Sequence, residues 1–294
     1  MSMTNRKKPA EVTQLASMAL ESLLYEVVVN PKPGLVDPVD VGPHPDMNVF
    51  MFIDSAVSLR GYLEACVSAG YEFDGDDLTE LFQTIRGMGI KAEETMFEAT
   101  HHVNTHKGAV FSLGILATAA AYQARIGDRG LKQLQQIIRE MLQNLITDDL
   151  ATPHFETTKN LTAGERQYLK YGLLGVRGEA AAGFPVVFDY AVPFLEKRTG
   201  PLNARLLDTL LLIVLHADDS NLIKRSGDPH ILKKVRQKIR TYFELGGYQT
   251  EAGYRLLQDL NTSFKNQNLS LGGSADLLIL TIFVGLKTGI VVAK

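Results

Sequence analysis

The chain has a single cysteine in 294 residues, Cys66, so no disulfide can form within it. A chain without such staples suits a reducing compartment, and the cytoplasm is the expected location. Positive charge is not in excess. Thirty Lys and Arg stand against 33 Asp and Glu, a formal net charge of -3, which excludes nucleic-acid binding through a general positive field. No apolar run is long enough for a membrane, since residues 277–285 are bracketed by Asp276 and Lys287 and fall short of the roughly 20 residues a span needs. Arg6, Lys7 and Lys8 open the chain, but Glu11, Gln14 and Glu21 interrupt the next segment, so no export signal is read. Alternating strands, internal repeats and low-complexity blocks are missing as well.

What remains has a globular balance, with 45% hydrophobic and 21% charged residues. A chain of this size buries about three quarters of its unfolded surface. Val12, Leu15, Ala16, Ala19, Leu23 and Val27 follow helical spacing, and Val49, Phe52, Ile53, Ala56 and Leu63 repeat it. Further helices are predicted over residues 77–100, 109–124, 130–147, 162–171, 203–217, 229–244, 250–264 and 275–291. The valine runs at 27–29 and 186–188 have strand propensity, but each joins a helical pattern. The expectation is an all-α fold, one multi-helix domain over residues 1–294, with its site built from inter-helix loops.

Those loops are rich in Gly, Pro and charge, where plain turns use neutral polar residues. No Gly-Lys-Ser/Thr occurs, which excludes a Walker loop. Gly87-Met88-Gly89-Ile90-Lys91-Ala92 spells a dinucleotide fingerprint but lies inside a helical run with no strand before it, so the match is coincidental. His102 and His106 are four apart, yet Asn104 and Gly108 point to a loop rather than a zinc-binding helix face. Cys66 reads as packing. Asn104, Thr105, His106, Lys107 and Gly108 precede an apolar helix, where free amides and the helix dipole suit an anion and Lys107 favours phosphate over simple capping. Gly272, Gly273 and Ser274 have the same form before the last helix, with Ser274 as a cap.

Asp218 and Asp219 follow an apolar helix at its negative end, which invites a cation; capping of the next helix is the alternative, and Asp219 leans toward a metal or ribose role. Arg177 and Glu179 could form a surface ion pair, and Arg177 could equally clamp a phosphate. Asp46 could cap the helix that follows, and His44 could simply pack. Lys32, between Pro31 and Pro33, has a stiffened backbone that could aim its ammonium.

Taken together, several segments resemble the triphosphoribosyl-dephospho-coenzyme A synthase family, which makes the prosthetic-group precursor of citrate lyase and malonate decarboxylase. They are Asn-Pro-Lys-Pro-Gly-Leu-Val-Asp at 30–37, Gly-Pro-His-Pro-Asp-Met at 42–47 and Asn-Thr-His-Lys-Gly-Ala-Val-Phe-Ser-Leu-Gly at 104–114. Arg-Gly-Glu-Ala at 177–180 with Gly-Phe-Pro at 183–185, Asp-Ser-Asn at 219–221 with Arg225, and Gly-Gly-Ser-Ala-Asp-Leu-Leu at 272–278 complete the set. Leu271 and Ser220 depart from the family's usual Pro and Thr.

The resemblance implies a pentosyltransferase in which the 2'-hydroxyl of 3'-dephospho-CoA displaces adenine from C1' of ATP and the triphosphate stays whole. A lyase acyl carrier protein and a downstream transferase would be the later partners, and a homo-oligomer is compatible with the sequence. Such chemistry needs carboxylates near C1', a base for the hydroxyl and an acid for adenine. On that reading Lys32, Lys107, Arg177 and Arg225 hold phosphates, and Asn104, Asn221, Gly272, Gly273 and Ser274 add neutral donors. Asp219 and Asp276 hold Mg²⁺, Glu179 or Asp46 is the base, and His44 is the acid or an orienting group. A Mg²⁺-dependent N-ribosyl or nucleotide hydrolase, or a non-catalytic helical nucleotide-binding module, are the competing readings.

Overall fold

Two helices form the centre because nearly every side chain on them is small or apolar. In the computed structural model, which describes residues 10–150 and 163–292, α5 (Lys107–Arg125) and α15 (Gly272–Thr288) are buried around most of their circumference. A helix apolar on all sides belongs in a core. Around them lie α1 (Ala10–Val28), α2 (Val49–Ser58), α3 (Arg60–Glu72) and α4 (Leu78–Ala99). The α3 helix packs along α5 and α1 along α15. Close approach of α3 and α5 depends on glycine: a Cβ at Gly70 would lie 2.2 Å from the Thr118 carbonyl oxygen, and one at Gly114 would strike the Tyr62 hydroxyl at 2.0 Å. That hydroxyl instead donates to the Val110 carbonyl at 2.9 Å.

The amphipathic α6 (Leu131–Met141) buries Leu134, Ile137, Ile138 and Met141. Next come α7 (Leu145–Leu150), α8 (Ala163–Tyr171) and α9 (Gly175–Ala181), then a π-helical turn (Val186–Ala191) running into α10 (Val192–Lys197). The chain closes through α11 (Leu202–His216), α12 (Ser220–Ser226), α13 (Ile231–Glu244) and α14 (Glu251–Asn266) before α15. One continuous apolar core runs through the bundle. The described residues contain no strand, as expected of an all-α fold. Among them, no helix is long and apolar enough to cross a membrane.

Several boundaries differ from the sequence reading. The helix predicted from Val49 breaks at Leu59, whose backbone ends α2 and begins α3. Residues 130–147 divide between α6 and α7, and the valines at 186–188 form the π turn. The last helix begins at Gly272, so the glycines are its first turn rather than a nest ahead of it. Residue 162, where one predicted helix starts, and Arg6, Lys7 and Lys8 lie outside the described residues.

Candidate active site

The loops before α2, α5 and α15, together with helix α12, meet around a cavity of about 400 Å³. His44 and Met47 line it from the first loop, Asn104, Thr105 and His106 from the second, and Ser270 from the third. Asn221, Lys224 and Arg225 come from α12, and Gly272, Gly273 and Asp276 from α15. The N-terminal ends of α5 and α15, 19 and 17 residues long, open on this space, so two sets of backbone N–H groups and two positive dipole ends face it. Asn104 Oδ1 accepts the Lys107 N–H at 3.3 Å, which orders the first of these ends.

The cations of the cavity fall into two kinds. Lys32 is 1% exposed, and its ammonium donates to the Glu26 carboxylate at 2.6 Å and to the Glu26 carbonyl at 2.7 Å. It is therefore half of a buried ion pair, not the free phosphate ligand the sequence suggested. Arg225 is fixed from three sides: it donates to Asn268 Oδ1 at 2.5 Å, to the Pro43 carbonyl at 3.3 Å and to His44 Nδ1 at 2.9 Å. Lys107 pairs with Glu93 at 2.7 Å and is half exposed. Lys224, exposed in the last turn of α12, has no ionic partner among the described residues. The sequence reading missed it.

His44 orients Arg225. Because Nδ1 accepts from the guanidinium, the ring proton sits on Nε2, which faces the Gly34 carbonyl at 3.3 Å and the Ser270 hydroxyl at 3.2 Å. Burial and then the Arg225 charge hold the imidazole below its usual pKa, so it is neutral. With both nitrogens engaged it is not a proton donor to a departing base, which corrects the acid role considered above. Asp46 lines none of the cavities described here, so it is corrected from candidate base to a residue outside the site.

A residue the sequence discounted is built into the wall. His106 is fully buried, its ring edge-on to Phe52 with centroids 5.1 Å apart. Thr105 donates to the Ser55 hydroxyl at 2.7 Å, which meets His106 Nδ1 at 2.7 Å, while Nε2 has no partner. Burial, and next the Lys32 charge, push the imidazole pKa down to about 3.

Three carboxylates around α15 have different environments. Asp219 is 2% exposed. Its Oδ1 accepts the N–H groups of Asn221 and Leu222, capping α12, and its Oδ2 accepts both the N–H and the hydroxyl of Ser274 at 2.8 Å. Four donors occupy both oxygens, so Asp219 is a clamp between α12 and α15 and not a metal ligand. The same contact corrects Ser274, a donor to Asp219 rather than to a substrate. Asp276 accepts no hydrogen bond among the described residues. A Cβ at Gly108 would sit 1.9 Å from its carboxylate, so the glycine admits that group to the start of α5. Burial first, then the charges of Glu26 and Asp219, push the Asp276 pKa well above the usual carboxylate range.

Glu179 lines a neighbouring cavity of about 330 Å³ with residues 172–176, Asp218 and Leu277; Val176, Ser220 and Gly273 are common to it and the first. One Glu179 oxygen accepts the Val186 N–H at 2.7 Å. Burial, then the charges of Asp189 and Asp218, push its pKa up to about 7. Its expected partner Arg177 turns elsewhere, donating to Asp149 at 2.8 Å, as Arg86 does at 2.6 Å. Arg177 therefore lines a third cavity and not the first, which takes it out of the chamber formed by Lys107 and Arg225. Asp218 pairs with Arg236. Cys66 is buried, which pushes its thiol up to about 11, in keeping with a packing role.

Fold and cavities define an all-helical protein with a chamber lined by cations and two helix N-termini, beside a carboxyl whose pKa burial pushes up to about 7. Residues 12–291 match the family model of the CitG ATP:dephospho-CoA triphosphoribosyl transferases, and the chain belongs to that family. It is 56% identical over 276 residues to a probable 2-(5''-triphosphoribosyl)-3'-dephosphocoenzyme-A synthase of Lactiplantibacillus plantarum, covering 94% of this chain and 98% of that protein. It is 49% identical to the protein CitXG of Leuconostoc mesenteroides subsp. cremoris, covering 94% of this chain but 60% of that protein. A probable synthase of the same name from Streptococcus pyogenes is 37% identical, over 93% of this chain and 96% of that one. No solved structure is significantly similar to the chain.

Proposed function

We propose that the protein transfers the 5-triphosphoribosyl group of ATP to the 2'-hydroxyl of 3'-dephospho-CoA and releases adenine. The observation that carries this reading is the convergence of three loops, helix α12 and two helix N-termini on one cavity that shares Val176, Ser220 and Gly273 with the Glu179 chamber. A triphosphate that must be gripped without being cleaved calls for many fixed donors rather than an activated water. Lys224, Arg225, Lys107, Asn104, Asn221 and the Gly272 amide supply them.

The reaction breaks the C1'–N9 bond of ATP and forms a C1'–O2' bond, and the proton lost by the hydroxyl is balanced by the one adenine gains. Glu179 is the residue we assign to that proton's transit, since a carboxyl near pKa 7 is populated in both forms at neutral pH. His44 is a positioning residue acting through Arg225. The residues fit a Mg²⁺ ion that arrives on the triphosphate. No cluster of three His, Cys, Asp or Glu able to cage a metal exists among the described residues, whereas Mg²⁺ binds through one or two carboxylates plus substrate phosphates, and Asp276 with Glu26 lines the cavity. When bound, the ion would neutralise phosphate charge.

The test is mass spectrometry of a mixture of the protein, ATP, dephospho-CoA and Mg²⁺. The expected result is adenine and dephospho-CoA heavier by one triphosphoribosyl unit, in equal amounts. Adenine formed without acceptor would make the protein a hydrolase, and nucleotide binding without adenine a silent binding module. A single displacement inverts C1' and a covalent ribosyl-carboxylate retains it, so product stereochemistry separates the two routes. Delivery of the product to a citrate lyase rather than a malonate decarboxylase carrier subunit, through a later transferase, belongs to the same proposal and is tested by which apo-subunit accepts it.

A further inference from the structure

Helix α4 carries two glycines in its interior, Gly87 and Gly89, where a helix prefers almost any other residue. Packing does not require either. A Cβ on Gly87 would meet nothing within 4 Å, and one on Gly89 would make ordinary contacts with the Tyr62 hydroxyl at 3.5 Å and Val110 at 3.9 Å. Gly87 is exposed. Gly89 instead forms part of the wall of a third cavity, of about 310 Å³, lined by Tyr62, Phe82, Ile85, Ile90, Phe111 and Ile115. A longer side chain at position 89 would occupy that space.

This cavity joins the triphosphate chamber, with Lys107, Gly108 and Val176 common to both, and Val176 lines the Glu179 cavity too. At its edge, Arg86 and Arg177 share the Asp149 carboxylate, a trio with net positive charge. We infer that this apolar cavity is the subsite for the purine base of the acceptor nucleotide, kept open by Gly89, with Arg86 and Arg177 facing the acceptor's diphosphate. The inference rests on the transfer reaction proposed above. In dephospho-CoA the reacting 2'-hydroxyl is on the carbon next to the one bearing adenine, so the acceptor base must lie beside the reaction centre. A flat apolar base suits aromatic and aliphatic walls, and its diphosphate suits two guanidiniums.

The experiment compares Gly89→Leu with Gly87→Leu. Both replace a helical glycine, and circular dichroism and Tm establish that each folds. For Gly89→Leu the KM for dephospho-CoA rises about tenfold or more while that for ATP changes less than about twofold. Gly87→Leu leaves both unchanged. A matching rise in the KM for ATP would assign the cavity to the donor and overturn the inference, as would no change in either KM; in both cases the transfer reaction itself would stand. Absence of transfer by the unmodified protein would instead overturn the reaction. A second readout is independent of turnover. The chain has no tryptophan, so Ile90→Trp introduces a single tryptophan, selectively excitable over the ten tyrosines, into the cavity wall. Dephospho-CoA quenches or shifts its emission and ATP alone does not; the reverse pattern, or no response to either, contradicts the assignment.

Discussion

The joint between α12 and α15 and the reaction chamber beside it hold the same kinds of charged residue in opposite condition. At the joint the buried carboxylate is satisfied by hydrogen bonds: Asp219 accepts four. Lys32, deep in the neighbouring wall, is likewise matched by Glu26. In the chamber, charge is left over. Glu179 accepts one backbone N–H and sits among other carboxylates, Asp276 accepts nothing among the described residues, and Lys224 has no ionic partner there. A matched buried charge holds the fold, because removing one partner strands the other. An unmatched buried carboxylate raises the energy of the free protein and is relieved when a cation or a proton arrives, whereas exposed Lys224 stays hydrated until an anion reaches it.

The sharpest way to break this contrast is to neutralise an unmatched group. Glu179→Gln is expected to lower kcat by about 10²- to 10⁴-fold while ATP affinity stays within about twofold, measured by adenine release and equilibrium binding. The limb of the kcat/KM profile near pH 7 should vanish with it. The same residue sets a stability slope. Because its folded pKa of about 7 exceeds the ordinary carboxyl value of 4.5, its favourable contribution is complete below about pH 4.5 and lost as pH rises through 7. Glu179→Gln should flatten the fall in Tm over that window.

Matched groups should fail by unfolding instead. Lys32→Ala leaves Glu26 buried without its cation and is expected to cost about 3 kcal/mol or more in urea denaturation. Asp219→Ala removes a helix cap and strands the Ser274 donors, for about 3 kcal/mol. Its counterpart sharpens the comparison: Asp276→Asn should leave Tm unchanged or raised at neutral pH, because it removes a carboxylate that burial disfavours. Half-maximal activity should then require more Mg²⁺. Smaller effects belong to the cations. Lys224→Ala should raise the KM for ATP about tenfold, or about 1.4 kcal/mol. Lys107→Ala, already paired to Glu93 and half exposed, should raise it only a few-fold.

How much of this was legible in sequence obeys the same division. Helical spacing located the apolar helices, and the unusual composition of the Asn104–Gly108, Asp219–Arg225 and Gly272–Asp276 segments marked three stretches that the fold brings to one cavity. Their charged composition survives in any local reading. Pairing does not. Lys32 looks free until α1 brings Glu26 beneath it, and Arg177 looks adjacent to Glu179 until Asp149, 28 residues earlier, captures it. His44 meets Arg225 across 181 residues, so its tautomer is set by a partner no local pattern shows. Lys224 and Glu26 went unnoticed because each reads as an ordinary helical charge. Gly89 was set aside as part of a false fingerprint, and only its place in a cavity wall gives it meaning.

The central claim is that the chamber keeps the triphosphate intact while its ribose changes attachment, and ³¹P NMR of a single turnover tests it most directly. With enzyme in excess over ATP and dephospho-CoA present, all three triphosphate resonances should persist and pass into the coenzyme product as adenine forms in equal amount. Orthophosphate or pyrophosphate appearing in step with adenine would contradict it.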